Sequence, residues 1–358
     1  MLVLNSIWRM GLGGAERQLV QLSSGLVARK VKVHVATAYA GYCDPQLDAA
    51  GAVSHRLSPL GKYDLTLIPR MMLLLRRLKP DVVATWLSQM DILTGVAARA
   101  SGVPWIICER SAAAAYPPGL LHTTRARVAV FADAIVANSE GGREYWRRHV
   151  DDSRIRVIPN IVPLAEIDRV TAEAESAADG DDVILYVGRF SAEKNLDRLL
   201  EALALVLPGR NAKAVFCGDG PLRAAMERKA AALGIAGRVR FLGEVGNVWA
   251  WMKRAAVVVG VSVFEGNPNT VLEAIACGAP VVVSDIPANR ALVDEQSAWL
   301  VEPLSIESIA GGLRAALGER EEAKARAARA RDVVRGRSAD DIAARYIEVY
   351  DSVAGKRT

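Results

Sequence analysis

Cysteine is scarce: the 358-residue chain has four, Cys43, Cys108, Cys217 and Cys277. None is spaced as a pair, which argues against a zinc site and against a disulfide framework. Three lie in or beside apolar strand or helix patterns, where a small buried residue is the ordinary expectation. Histidine is equally sparse. His34, His55, His122 and His149 each stand without a partner motif, so solvent or satisfied core positions are expected for them rather than catalysis. No run of about twenty uncharged apolar residues occurs, and nothing reads as a transmembrane helix. The N-terminus opens on an apolar strand pattern, Met1 to Ser6, without the basic-then-apolar layout of a secretory signal. The expected location is therefore the cytosol.

Half the residues are apolar, 51%, and the length suits two domains of ordinary size. Charge is uneven. Residues 1–170 carry 21 Lys and Arg against 14 Asp and Glu, and the remainder 24 against 26. A basic first half can face phosphates, nucleic acid or an anionic membrane, or be an ordinary solvated surface.

Strand and helix patterns alternate throughout. Strands are expected at 1–6, 32–38, 82–86, 105–108, 134–138 and 155–158, with helices at 15–28, 67–78, 92–100 and 141–149. A polar, apolar-poor stretch at 166–182 reads as a linker. A second series follows, with strands at 183–187, 212–217, 239–242, 257–261 and 281–284. Its helices are expected at 196–207, 222–233, 248–254 and 268–277. This predicts two consecutive doubly wound α/β domains with parallel sheets covered on both faces. The segments are 1–165, linker 166–182, 183–337, and an amphipathic helix within 338–358 that places Ile342, Tyr346, Val349 and Tyr350 on one face.

Several loops carry chemistry. After the first strand comes Gly11-Leu12-Gly13-Gly14-Ala15-Glu16, then a helix. Glycines allow close backbone approach, and a helix start favours an anion. The spacing is not that of a dinucleotide fingerprint, and no acid ends the second strand near Ala36–Tyr39. A tight turn, or a loop beside a phosphate or sugar of a ligand between the domains, remains. Gly188-Arg189-Phe190-Ser191-Ala192-Glu193-Lys194 follows a strand end, where open α/β sheets bind ligands. Its arginine fork and lysine point charge suit adjacent phosphates. Gly218-Asp219-Gly220-Pro221 is a ligand-packing loop or simply a turn. In the stretch from Val263 to Ala274, Asn267 reads as N-cap and Pro268 as first helical residue of a helix to Cys277, stopped by Gly278 and Pro280. Glu265 then precedes the helix and Glu273 lies in its second turn. The amides of Asn269, Thr270 and Val271 mark an anion-favouring helix start. Carboxylates near a diphosphate make sense as acceptors of hydroxyls; a capping acid and a surface acid are the plainer alternative.

The ordered set Gly-Gly-Ala-Glu, Val-Gly-Arg-x₄-Lys, Gly-Asp-Gly-Pro, Phe-Leu-Gly and Glu-x₇-Glu resembles retaining glycosyltransferases of the GT-B fold, family 4 in particular. The resemblance spans nearly the whole chain and is densest from Ile184 to Pro303. It implies two Rossmann-like domains facing a central cleft, and transfer of a sugar from a nucleotide-diphosphate sugar to an acceptor hydroxyl with retention. Arg189 and Lys194 would contact the diphosphate, Glu273 the ribose and Glu265 the donor sugar, with Glu265, Lys194 and Arg189 as the catalytic set. Gly13, Gly14, Gly218, Leu242, Asn269, Thr270 and Val271 complete the expected donor site, the backbone around Leu242–Glu244 meeting the nucleobase. Ala137-Asn138-Ser139-Glu140 and Ile158-Pro159-Asn160 match family stretches on the hinge side of the first domain. The resemblance further implies no cofactor and no metal, a glycan or lipid-linked acceptor, a role in cell-surface polysaccharide, lipopolysaccharide or glycolipid synthesis, and no nucleic-acid partner. The last helix would cross back to the first domain.

Two departures stand out. Many relatives carry a histidine after the third strand of the first domain, where this chain has Thr85-Trp86-Leu87-Ser88-Gln89-Met90-Asp91. Either Gln89 or Asp91 takes that role or it is missing, with Asp91 first of all a helix-start acid. Asn289-Arg290-Ala291-Leu292 stands where relatives often have an acid near Ala291, a difference expected to bear on packing. Asp179-Gly180-Asp181 has a metal-site form but reads as a solvated turn. The basic amphipathic stretch Leu67–Lys79 either packs on the sheet with its arginines in water or rests peripherally on an anionic membrane. Rival functions are a sugar-nucleotide epimerase on the same fold and a non-catalytic nucleotide-binding protein. Donor sugar, base, acceptor and linkage have no readable code; loops such as 111–124 would set them.

Overall fold

A computed structural model describes residues 1–11, 13–61, 64–111, 116, 119–171 and 182–355. The chain divides into two units, residues 1–161 with 336–358, and residues 162–335.

The first unit holds seven parallel strands: β1 (Leu2–Arg9), β2 (Lys32–Tyr39), β3 (Val53–Arg56), β4 (Val82–Trp86), β5 (Trp105–Glu109), β6 (Ala134–Ala137) and β7 (Ile155–Val157). Their order is β3-β2-β1-β4-β5-β6-β7. β4, β5 and β6 are buried at every residue, as expected of strands covered on both faces. Alternation sorts them into two cores. Val82, Ala84 and Trp86 enter one; Val83, Trp105 and Ile107 enter the other. Helices α1 (Gly14–Ala28), α2 (Asp44–Ala49), α3 (Leu67–Leu78), α4 (Ser88–Ser101), α5 (Leu120–Ala129) and α6 (Glu140–Trp146) connect them.

The second unit begins with α7 (Leu164–Arg169) and has a six-stranded parallel sheet in the order β10-β9-β8-β11-β12-β13. Its strands are β8 (Asp182–Val187), β9 (Ala212–Cys217), β10 (Val239–Gly243), β11 (Val257–Gly260), β12 (Val281–Ser284) and β13 (Trp299–Val301). Around it lie α8 (Leu196–Val206), α9 (Arg223–Ala232), α10 (Val248–Arg254), α11 (Asn269–Ala276), α12 (Pro287–Arg290), α13 (Ile306–Gly318) and α14 (Arg320–Ala330). The expected linker at 166–182 starts too early: Ile167 of α7 is fully buried in this unit's core beside Val162 and Leu185. Residues 172–181, including Asp179-Gly180-Asp181, lie outside the described residues.

α15 (Ala339–Ala354) belongs to the first unit. Ser338 and Asp341 form a reciprocal capping box at its start. Ile342, Tyr346, Tyr350 and Val353 then enter the core shared with α1. The close approach depends on Gly25, where an added Cβ would stand 2.3 Å from the carbonyl oxygen of Ala339.

Candidate active site

In each sheet the strand order reverses once, between β1 and β4 and between β8 and β11. The crevice outside the carboxyl ends of strands at such a point is where open α/β sheets bind ligands. In the second unit the loops leaving β8 and β11 bring their charged residues together. Lys194 Nζ lies 2.5 Å from Glu265 Oε1. Ser262 Oγ donates to the same oxygen at 2.7 Å. The two side chains are 22% and 19% exposed, half-buried rather than sealed.

Both loops are fixed from behind. Asn195 adopts a left-handed conformation, φ +57°, and its amide nitrogen donates to the carbonyls of Val261 (3.2 Å) and Pro303 (2.6 Å). The Val263 amide donates to the Glu193 carbonyl at 2.9 Å. Ser284 Oγ donates to the Ser262 carbonyl at 2.7 Å, and buried Asn289 donates to the Ser284 carbonyl at 2.8 Å. Asn289, in the stretch whose departure falls near Ala291, thus backs the Glu265 loop.

Arg189 stands apart from Lys194. It is 71% exposed, with a nitrogen 3.2 Å from Glu193 Oε1. Ser191 Oγ holds that same carboxylate oxygen at 2.5 Å. Gly218, φ +131°, is demanded by the protein itself: a Cβ there would lie 2.0 Å from the Gly188 carbonyl oxygen. The Gly218 amide donates to the Gly243 carbonyl at 2.7 Å, so the loops after β8, β9 and β10 are stitched together.

α11 starts one residue later than expected. Pro268, φ −77° and ψ 87°, is the N-cap, and Asn267 lies outside the helix. A first helical residue has helical ψ, which Pro268 lacks. Its carbonyl still accepts the Leu272 amide at 3.1 Å. Asn269, Thr270 and Val271 form the first turn, at the end that carries positive partial charge. Glu273 follows in the second turn, only 9% exposed. Trp249 Nε1, from α10, donates to Glu273 Oε2 at 2.9 Å. Leu242, Val245, Val248 and Trp249 are partly buried against the same apolar core.

In the first unit, Gly13 is the N-cap of α1 and Gly14 its first residue, while Leu12 lies outside the described residues. A Cβ on Gly13 would come within 2.4 Å of Glu16 Oε2, so an acid already occupies the positive end of this helix. That favours a hydroxyl-bearing group over a phosphate beside the loop. Leu87, after β4, holds φ +70° and ψ 149°, a strained conformation for a side chain with a Cβ.

Asp91 is no catalytic helper. Its Oδ1 accepts from Thr85 Oγ1 at 2.6 Å and its Oδ2 from Arg125 Nε at 2.7 Å. Arg125 also reaches Glu109 Oε2 at 3.0 Å, to which Trp146 Nε1 donates at 2.8 Å. All three charged groups are 1% exposed or less. Gln89 remains half-buried at the start of α4. The histidines do have partners: His34 Nδ1 lies 2.8 Å from His55 Nε2 with stacked rings, His122 packs on Tyr116, and His149 on Tyr145 and Trp146. Burial pushes the thiols of Cys217 and Cys277 up to about 12 and that of Cys108 up to about 11, values that leave them unreactive.

Comparison with known proteins bears on both units. The profile for Glycosyltransferase Family 4 matches residues 12–166, and that for Glycosyl transferases group 1 matches residues 168–333. A lipopolysaccharide core biosynthesis glycosyltransferase, LpsE of Rhizobium meliloti, is 31% identical over 280 residues, 75% of each chain. The chain belongs to this glycosyltransferase family. It is also similar to the alpha-1,4-N-acetyl-D-galactosaminyltransferase of Campylobacter jejuni that acts on an undecaprenol-diphosphate-linked GalNAc glycan, 29% identical over 74% of this chain and 73% of that one. HepE of Anabaena, solved with UDP-glucose, superposes with a TM-score of 0.86 at 18% identity, over 98% of this chain and 100% of the other. The two Rossmann-like units are those of the GT-B fold.

For this glycosyltransferase the sequence pointed to the charged residues and passed over what holds them. Ser262 had a faint signal, three residues before Glu265 in one loop. Trp249 had none, lying 24 residues from its partner. Asn195, Asn289 and Arg125 act through partners 66, 5 and 34 residues away, and no role was assigned to them individually.

Proposed function

We propose that this glycosyltransferase moves a sugar, with retention of anomeric configuration, from a nucleotide-diphosphate sugar to a hydroxyl of a glycan or lipid-linked acceptor. The observation that carries the reading is the Lys194–Glu265–Ser262 cluster beside the switch point of the second sheet. Lys194 has three N–H donors and uses one on Glu265, which leaves directions for a phosphate oxygen. The first turn of α11 and exposed Arg189 supply further positive charge, so the departing diphosphate is met without a metal. Glu265 Oε1 takes both hydrogen bonds. Its Oε2 is the oxygen that accepts a sugar hydroxyl and stabilises positive charge growing at the anomeric carbon. Glu273 accepts ribose hydroxyls. The departing phosphate oxygen takes the acceptor proton.

The acceptor class rests on the first unit. Leu67, Met71 and Leu75 of α3 pack on the sheet, but Leu73 is 69% exposed between outward-facing Arg76 and Arg77. Exposed Leu65 precedes α3 and Leu120, 85% exposed, begins α5. Apolar anchors among basic residues suit an anionic bilayer. No helix of the described residues is long and apolar enough to cross a membrane, so the contact is peripheral. With it goes a place at the cytoplasmic face, building cell-surface polysaccharide, lipopolysaccharide or glycolipid.

UDP-, GDP-, ADP- and TDP-sugars, screened by thermal shift, identify the donor as the one that raises Tm. Product anomericity with that donor then tests retention, and stabilisation by none of the four would sink the reading. Co-sedimentation with phosphatidylglycerol vesicles should weaken with salt and in Leu73→Glu; binding that ignores both would overturn the membrane contact.

A further inference from the structure

Glu273 is nearly buried on an apolar helix, among Val271, Leu272, Ala274 and Ile275. A carboxylate in such a place needs donors to stay ionised. One donor comes from α10, the Trp249 indole N–H, 2.9 Å from Oε2. An indole N–H is directional and orients the carboxylate oxygen that accepts it.

The indole is itself well placed. Asn247 caps α10 by accepting the Ala250 amide at 3.2 Å, which fixes Trp249 in the first turn. The Trp249 carbonyl faces the Cys277 thiol at the far end of α11, 3.8 Å away. Trp249 is thus tied to both ends of the second half of α11, through its ring to Glu273 and through its backbone to Cys277. The carboxylate has about four lone-pair directions, and the indole claims one of them on Oε2.

We propose that Trp249 is a positioning residue for the nucleoside ribose. Its indole N–H sets the plane of the Glu273 carboxylate so that the carboxylate meets a vicinal diol. This rests on the reading of Glu273 as the ribose ligand. It assigns Trp249 to binding of the nucleoside and not to the chemical step.

The test uses the full chain and isothermal titration with UDP and GDP, whichever binds more tightly, beside its 2′,3′-dideoxy counterpart. Trp249→Phe keeps the ring and removes the N–H. It should weaken the ribonucleotide about 3- to 10-fold, the size of one hydrogen bond to a charged group. It should leave the dideoxynucleotide unchanged, and in turnover raise donor KM with kcat held within about twofold. Equal losses for both nucleotides would show that Trp249 acts through packing alone, and no loss for either would show that it does not act; each overturns the proposal. If Trp249→Phe folds poorly, benzothienylalanine at 249, which replaces the N–H by sulfur in the same shape, carries the same comparison. Glu273→Gln separates the levels. If it leaves ribonucleotide binding intact, the ribose reading falls and the Trp249 proposal with it. If it weakens binding while the Trp249 variants do not, only the Trp249 proposal falls.

Discussion

Two sets of charges, one in each unit, lie at or near the carboxyl ends of parallel strands and are built in opposite ways. In the first unit Asp91, Glu109 and Arg125 are sealed from water and spend their hydrogen bonds on one another, on Thr85 and on Trp146. In the second, Lys194 and Glu265 stay half-exposed, and their backing comes from neutral groups, Ser262 and the Asn195 staple. The buried network turns its charges inward, away from solvent, even though Arg125 Nη1 has no hydrogen-bond partner among the described residues, whereas a half-buried pair held on one side keeps directions open to a ligand. Charge near a strand end therefore marks a site only when part of its hydrogen-bonding capacity faces outward.

Removing one member of the sealed network is the severest test of that contrast. Arg125→Met leaves two buried carboxylates without their cation, and the expected loss is about 3–5 kcal/mol of stability, read by urea denaturation. Because the second unit is untouched, any folded fraction should bind nucleotide normally. A stable Arg125→Met protein with lost nucleotide binding would reverse the roles assigned to the two sets.

Lys194→Ala should do the converse: little change in Tm, and a fall in kcat of about 10²- to 10³-fold, as for loss of a group that stabilises charge in the transition state. Its charge matters most as the diphosphate departs. Glu273→Ala should instead raise donor KM by about 10-fold or more with a smaller effect on kcat, because a ribose contact is the same before and during reaction. Steady-state kinetics at saturating acceptor separates the two patterns. Unchanged kinetics in both variants would refute the site.

How far these roles could be read in the sequence follows the same physics. The strands were legible because continuous apolar runs such as Val82–Trp86 and Val257–Val261 suit a parallel sheet covered on both faces. α14 was not, because the residues it buries are Ala323, Ala327 and Ala330 amid charges, which make no apolar stripe. α5 was missed for a sharper reason: its buried residues include Arg125, and a buried cation looks like a surface one until its partners are known. Glu265 and Glu273 stood out through the ordered motifs that resemble family 4, while the helix caps gave only their places before and within α11, and the cap itself fell on Pro268 and not on Asn267. Ser284 and Trp249 act across 22 and 24 residues, and no local pattern encodes a contact at that separation.

The gentlest test concerns a third polar pair, His34 and His55, on neighbouring strands of the first sheet. The 2.8 Å contact needs one ring to donate and the other to accept, so both rings cannot be cationic. Burial lowers the pKa of each, with Lys32 adding to the effect at His34, and His34 and Arg77 adding to it at His55. A histidine held below its unfolded value binds fewer protons folded than unfolded. Its contribution is therefore complete above about pH 6.5 and is lost as the pH falls through the lowered folded values. Tm should decline from pH 7.5 to pH 5. The double variant His34→Gln, His55→Gln should decline less steeply, with nucleotide affinity at pH 7.5 unchanged. An equal slope in the two proteins would place the acid sensitivity in the carboxylates. A double variant that loses nucleotide affinity would mean that polar pairs outside the second unit's cluster reach the ligand after all, and the division between sealed and open charge would need redrawing.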